Sequence, residues 1–215
     1  MDKNPISTHT LRRLPIYLGY LRDRRDPRVS ATTVAGALRL SEVQVRKDLA
    51  AISDGGRPGV GYETEALIRD IERYLGYDGE LKAVLVGAGN LGRALLGYEG
   101  FRKCGLRIIA AFDADAALFG RTIAGRAVYP MAALAGICHA EEAKLGIITV
   151  PDAAAQEALN RLVESGIRAI WNFAPARLRA PEGVVIQNEN LVASLTVLSR
   201  RLSEKILEER TTDSE

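Results

Sequence analysis

At 215 residues the chain is long enough to bury a substantial core as one large domain or two small ones, and 47% apolar with 26% charged residues is the mix of an ordinary soluble globular protein. No apolar run has the length of a membrane span, the opening MDKNPISTHT lacks the apolar core of a signal peptide, and Cys104 and Cys138 have neither metal-ligand spacing nor a disulfide framework; a cytoplasmic protein with no metal and two thiols acting as small apolar side chains is expected. The net charge of +2 hides an asymmetry, because residues 1–60 hold 11 Lys/Arg against 6 Asp/Glu while the remainder is mildly acidic, so a polyanion partner is expected for the first part alone.

In chain order, Leu11, Leu14, Tyr17, Leu18 and Leu21 recur at helical spacing, predicting a helix from Thr10 to about Arg25 that DRRDPR ends at its proline. Ser30 is placed to cap a second helix running through Leu38. After a short turn, Ser41 and Gln44 have the spacing of a capping box for a third. On that helix Val45, Leu49 and Ile52 share one side, and Val43, Arg46, Lys47, Ala50 and Ala51 lie opposite. Small alanines beside two long cations suit close approach to a DNA major groove. SDGGRPGVGY then reads as a tight hairpin with Arg57 near its middle. Helix-turn-helix followed by a basic hairpin is a winged helix; a small helical cap with a solvated cationic face is the competing reading.

LKAVLVGAGNLGRALLGY opens with an apolar run, the pattern of a buried parallel strand, and passes through Gly87, Gly89 and Gly92 into an amphipathic helix. Gly87 makes the tight turn, Gly89 lets the backbone approach a pyrophosphate, and Gly92 lets helix and strand pack closely, with the pyrophosphate at the positive helix end. A second strand, LRIIAAFD, ends in Asp113, 21 residues after Gly92. A carboxylate there accepts hydrogen bonds from ribose hydroxyls and repels a 2′-phosphate, favouring NAD(H) over NADP(H).

The alternation continues with a helix from about Pro130, the strand LGIITV, a helix from Asp152 to Ser165, and the strands AIWNF and VVIQN. Thr149, Pro151, Asn172 and Pro175 fall at strand ends, where such sheets bind ligands. Trp171 and Phe173 read as core and His139 as a surface residue. No further domain follows to supply the acid/base His or Lys of a dehydrogenase, so no catalytic residue is assigned. The last helix carries an apolar stripe, Leu191, Leu195, Leu198, Leu202 and Ile206, that the remaining chain does not cover. That stripe suggests a dimer, which suits a helix-turn-helix protein reading two half-sites.

Taken together, RLPIYLGYL, VQVRKDL, GVGY, VGAGNLGRAL, Tyr98 with GF, AAFDAD, TVP, NFAP and PEGVVIQN, in this order, resemble the Rex family of redox-sensing transcriptional repressors over nearly the whole chain. The resemblance implies an α/β protein of three parts: a winged helix-turn-helix over residues 1–77, a Rossmann-like NAD(H) domain over 78–189, and a C-terminal dimerisation helix, swapped between subunits, over 190–215. It implies a homodimer that binds operator DNA when the NADH/NAD+ ratio is low and releases it when NADH binds. Gln44, Arg46 and Lys47 then lie in the DNA-reading helix, with Arg57 on the wing. Gly87, Ala88, Gly89, Asn90, Leu91 and Gly92 hold the pyrophosphate, Asp113 the adenosine ribose, and Tyr98 belongs near the nicotinamide, with Thr149 and Pro151 at the facing strand end. Two positions depart from the family pattern: Gly19 stands where an arginine is common, and Asn190 where an aspartate precedes the last helix. Weakened or rebuilt redox coupling is the consequence expected of losing those charges. A small NAD-dependent oxidoreductase and a CoA-binding fragment related to ligase subunits are the alternatives; the first lacks an assignable acid/base and the second leaves the N-terminal module unexplained.

Overall fold

The computed structural model describes residues 6–212. The chain divides into two compact units, one running to Glu80 and taking in Lys103–Gly105, the other made of Leu81–Arg102 and the chain from Leu106 onward.

In the first unit α1 (Thr8–Arg22) starts at Ser7, whose hydroxyl accepts the Thr10 N–H at 3.1 Å, and buries Leu14, Tyr17, Leu18 and Leu21. It ends three residues earlier than Arg25 and well before Pro27. Beyond Leu21 the apolar repeat stops, so another turn would bury nothing, and the Asp23 N–H closes the helix on the Leu21 carbonyl. After β1 (Arg28–Val29), α2 (Ala31–Leu38) is capped as expected by Ser30, whose Oγ accepts the Thr33 N–H at 3.0 Å. The third helix, α3 (Glu42–Ile52), buries Val45, Leu49 and Ile52 and leaves Val43, Arg46, Lys47 and Ala50 exposed. The capping box does not form: Ser41 makes no side-chain cap bond, and the Gln44 amide is drawn forward to Asp48 instead. Arg57 and Gly61 close the hairpin with reciprocal backbone bonds of 3.1 and 2.9 Å. Gly61 has φ +81°, and a Cβ there would collide with the Val29 carbonyl. The return leg β2 (Tyr62–Glu63) pairs antiparallel with β1, so the wing is rooted in the sheet strand that follows α1. A fourth helix, α4 (Thr64–Leu75), buries Leu67 and Ile71; its i, i+4 spacing is legible in TEALIRDIERYL.

The second unit is a seven-stranded sheet in the order β5-β6-β4-β3-β7-β8-β9, parallel except for the edge pair β5–β6. Its strands are β3 (Leu81–Val86), β4 (Leu106–Asp113), β5 (Thr122–Ile123), β6 (Arg126–Pro130), β7 (Leu145–Ile148), β8 (Ala169–Asn172) and β9 (Val185–Asn188). Val84 and Val86 pack on one layer while Ala83 and Leu85 pack on the other, so β3 is buried on both faces and reads as a continuous apolar run. The helices α5 (Asn90–Leu96), α6 (Gly100–Lys103), α7 (Leu134–Ala140) and α8 (Asp152–Glu164) connect the strands. The β5–β6 hairpin is too short and polar to stand out in sequence. Chain order reverses at β3, flanked by β4 on one side and β7 on the other, which opens a crevice beyond their carboxyl ends. Finally α9 (Leu191–Thr212) leaves Leu191, Leu195, Leu198, Leu202 and Ile206 exposed, as its stripe predicts.

Candidate nucleic-acid interface and dinucleotide site

On the first unit, Arg46 of α3 and Arg57 of the wing line one concavity of 600 Å³ together with Ser30, Thr32 and Val60. The Arg46 guanidinium pairs with Glu42 one turn earlier, both largely exposed, and Lys47 stands exposed beside it. An exposed i, i+4 pair contributes little stability, so Arg46 can exchange its partner for a phosphate at small cost. Gln44 is also exposed but is held elsewhere. Its Nε2 donates to Asp48 Oδ1 at 2.9 Å. Asp48, 2% exposed, also accepts from Thr10 Oγ1 (3.1 Å), Arg13 Nε and Nη2 (2.7 and 3.0 Å) and Tyr17 Oη (2.8 Å). Burial alone would raise the Asp48 carboxyl, but the bonds from Arg13, Tyr17, Gln44 and Thr10 outweigh it and hold the group below its ordinary value. Burial, reinforced by the bond to Asp48, pushes the Tyr17 hydroxyl up to about 12. α3 thus carries a buried charge paired with α1, at i+3 from Val45 and i−4 from Ile52 on the face it buries.

In the second unit a cavity of 470 Å³ opens at the sheet's carboxyl edge, lined by Gly87, Gly89, Asp113, Thr149 and Pro151. Gly87 has φ +103°, and a Cβ there would lie 2.8 Å from the Thr149 carbonyl carbon; a Cβ on Gly92 would overlap the Gly87 carbonyl oxygen. These two glycines therefore let the turn pack tightly on Thr149 and on its own helix, while at Gly89 the backbone lines the cavity with open space where a Cβ would stand. Asp113 closes the turn from the side: its Oδ2 accepts the Ala88 N–H at 2.6 Å and its Oδ1 the Asp115 N–H at 2.9 Å. Ala88 is wholly buried, its side chain in the apolar layer with Leu85 and Leu96, whereas Gly89 and Asn90 are exposed and Leu91 is half-buried. Thr149 Oγ1 donates to the Gly87 carbonyl at 2.7 Å, within reach also of the Val86 carbonyl, so its hydroxyl is spent in holding the turn.

The structure does not bring Tyr98 to this cavity. Tyr98 is 60% exposed and lines a separate hollow of 290 Å³ with Arg102 and Arg126. It meets Phe101 edge-on at 4.9 Å, the first contact of an aromatic row continued by Trp171 and Phe173 at 5.4 and 4.8 Å. Those last two are partly buried against the apolar layer, as core residues should be. Asn172 is a structural brace: its amide bonds the Ala174 and Ala176 carbonyls, the Asn188 side chain and the Ala174 N–H, leaving it committed within the NFAP loop. Sequence reading missed Phe119, Met131, Glu157 and Arg161, which complete the 470 Å³ cavity. Glu157 and Arg161 form an i, i+4 ion pair on α8, a spacing visible in sequence; which face of α8 meets the cavity is not.

Asn190 caps α9: its Oδ1 accepts the Ala193 N–H at 2.8 Å. Gly19 is exposed, and a Cβ there would touch nothing within 4 Å. Cys138 is buried, and burial pushes its thiol up to about 11; His139 is exposed. Among the described residues there is no cluster suited to a metal ion, and no helix is long and apolar enough to cross a membrane.

Comparison with known proteins follows the same division. Residues 5–50 match a family described as putative DNA-binding protein N-terminus, and residues 78–176 one described as CoA binding domain. The redox-sensing transcriptional repressor Rex of Bacteroides thetaiotaomicron is 39% identical over 206 residues, 94% of either chain, and that of Clostridioides difficile is 40% identical, covering 94% of this chain and 98% of its own. The chain belongs to the Rex family. Solved Rex-family structures agree along the whole length: RSP in complex with β-NAD+ and operator DNA matches with a TM-score of 0.88 at 33% identity, covering 98% of each chain. RSP in complex with β-NADH matches at 0.84 and 32%, covering 97% of this chain and 99% of its own. The relatives named are repressors, not enzymes, and the Rex fold, a DNA-binding N-terminus followed by a Rossmann-like sheet, accounts for both family matches.

Proposed function

We propose that this Rex-family chain is a dimeric transcriptional repressor of the cytoplasm that binds operator DNA when the NADH/NAD+ ratio is low and leaves it when NADH binds. Residues 1–77 serve as the DNA-binding part, 78–189 as the dinucleotide domain and 190–215 as the dimerisation helix. The observation that carries the reading is the pairing of a cationic concavity, with Arg46 and Arg57 on its walls, and a glycine turn closed by a carboxylate. Gln44, Arg46, Lys47 and Arg57 face operator DNA. Phosphate contacts by the cations fix the register, and base edges are read from α3.

The cavity residues fit NAD(H). Bare backbone at Gly87 and Gly89 admits a pyrophosphate at close range, Gly92 lets α5 pack against the turn, and Ala88, Asn90 and Leu91 carry the turn between them. Asp113, at the end of β4, accepts from the ribose hydroxyls and repels a 2′-phosphate. Thr149 and Pro151 form the opposite wall. Tyr98 belongs near the nicotinamide, although here it lines a separate hollow beyond the end of α5. When bound, the dinucleotide supplies the redox state that is sensed. A second copy of the chain covers the exposed stripe of α9.

Linkage makes the reading testable. If NADH lowers operator affinity by some factor, operator lowers NADH affinity by the same factor. The decisive experiment titrates a fluorescent family-type operator with purified protein at fixed salt, without ligand, with NAD+ and with NADH. Release by NADH alone is expected. Operator binding indifferent to both nucleotides would overturn the redox reading, and absence of operator binding would overturn the repressor reading.

A further inference from the structure

Asp48 makes more bonds than a brace between α1 and α3 requires. Four hydrogen bonds from α1, by Thr10, Arg13 twice and Tyr17, already satisfy the buried carboxylate. The fifth, from Gln44 Nε2, spans one helical turn and fixes the amide of an exposed side chain. An i, i+4 bond of this kind adds only modestly to helix stability. Its further consequence lies on the outer face of α3, where Gln44 lies beside Val43 and Lys47.

We propose that Asp48 is a positioning residue for base readout, holding the Gln44 amide in one of its two flip states so that it reads an adenine. This rests on the DNA-binding reading above. A carboxylate only accepts, so the amide must turn its NH2 end toward Asp48; the reverse flip would oppose two acceptors. With one Nε2 hydrogen committed to Asp48, the second hydrogen and Oε1 form a parallel donor–acceptor edge. That edge matches adenine, whose N7 accepts and whose N6 amino group donates in the major groove, and it mismatches guanine, which presents two acceptors there. Arg13, bonded to both oxygens, keeps the carboxylate charged and fixed, so the orientation of a surface amide is set from α1.

The experiment uses the full chain and a family-type operator in which each position of one half-site carries each base pair in turn, with affinities read by fluorescence anisotropy at fixed salt. Gln44→Ala is expected to lose preference for A·T at one position, by about tenfold or more. Asp48→Asn, whose amide can turn either end toward Gln44, is expected to relax the same position. Tyr17→Phe keeps the Asp48–Gln44 bond and should keep the preference. Relaxation at a different position, or an equal loss at every position, would overturn the proposal. Failure of the native protein to bind any operator would instead strike the repressor reading. Should Asp48→Asn not fold, NMR of the native protein decides: one Gln44 side-chain amide hydrogen protected from exchange supports the proposal, and two equally exposed hydrogens overturn it.

Discussion

The outer face of α3 offers a polyanion two long cations, Arg46 and Lys47, standing clear of a core held by Val45, Leu49 and Ile52, whereas the turn after β3 offers bare backbone, with Gly87 and Gly92 placed where any Cβ would collide. On the helix, binding chemistry and folding are carried by different residues on opposite faces. At the turn they are carried by the same atoms. The helix should therefore tolerate substitution in stability while losing affinity, and the turn should lose both together.

The largest break is expected at Gly92→Ala, because the added methyl falls on the Gly87 carbonyl and either the turn or α5 must move. Dinucleotide binding should disappear and the second unit lose about 1–3 kcal/mol, read by calorimetric titration with NADH and by thermal unfolding. Asp113→Ala comes next. Loss of a charged hydrogen-bonding partner of about 1.5–3 kcal/mol corresponds to roughly 10–100-fold weaker NADH, with ligand-free operator binding unchanged. On the helix, Arg46→Gln and Lys47→Gln should each weaken operator binding and reduce the slope of log affinity against log salt by about 1, at unchanged thermal midpoint. A fall in midpoint comparable to that of Gly92→Ala would erase the contrast between the two surfaces.

Two smaller effects sharpen it. The Asp48 carboxyl is held below its ordinary 3.8, so its stabilising contribution is whole above that value and lost as pH falls through the lower folded value. Tyr17 moves the other way: its contribution is whole below pH 10.0 and lost as pH rises toward about 12. Unfolding of the first unit followed across both ranges should show both edges, with Tyr17→Phe reducing the alkaline one and leaving the part due to Tyr77, which burial also pushes up to about 12. Last, Asn190→Asp should change stability by less than about 0.5 kcal/mol, since either residue caps α9. Combined with Gly19→Arg, where a Cβ meets nothing within 4 Å, it introduces the charge pair expected from the sequence resemblance. A larger difference between NAD+ and NADH in operator affinity is expected of the pair, and no change would show that the coupling here runs through other residues.

How much could be read along the chain differs between the same two surfaces. The glycine turn was legible down to single residues, because VGAGNLG expresses sterics that act within a few bonds, and the strand, turn and helix around it all lie within one short stretch. The buried face of α3 was equally legible, since 100° per residue is a property of the helix alone. Ser30 as a cap held for the same reason, and the Ser41–Gln44 box failed because the Asp48 carboxylate, one turn further along α3, claimed the glutamine.

What no local pattern could supply is convergence. Asp48 meets Thr10, Arg13 and Tyr17 from more than thirty positions away, Arg46 and Arg57 share a concavity only after the wing folds back on β1, and Glu157 and Arg161 line a cavity whose other wall is Asp113. Asn172, at a strand end like any ligand-binding residue, turns inward to its own loop. Periodicity and steric limits act over neighbouring residues, so composition and spacing reveal which elements form and which faces they bury. Which side chains then meet across elements depends on strand register and helix packing, where one turn or one residue of shift exchanges an exposed charge for a buried one.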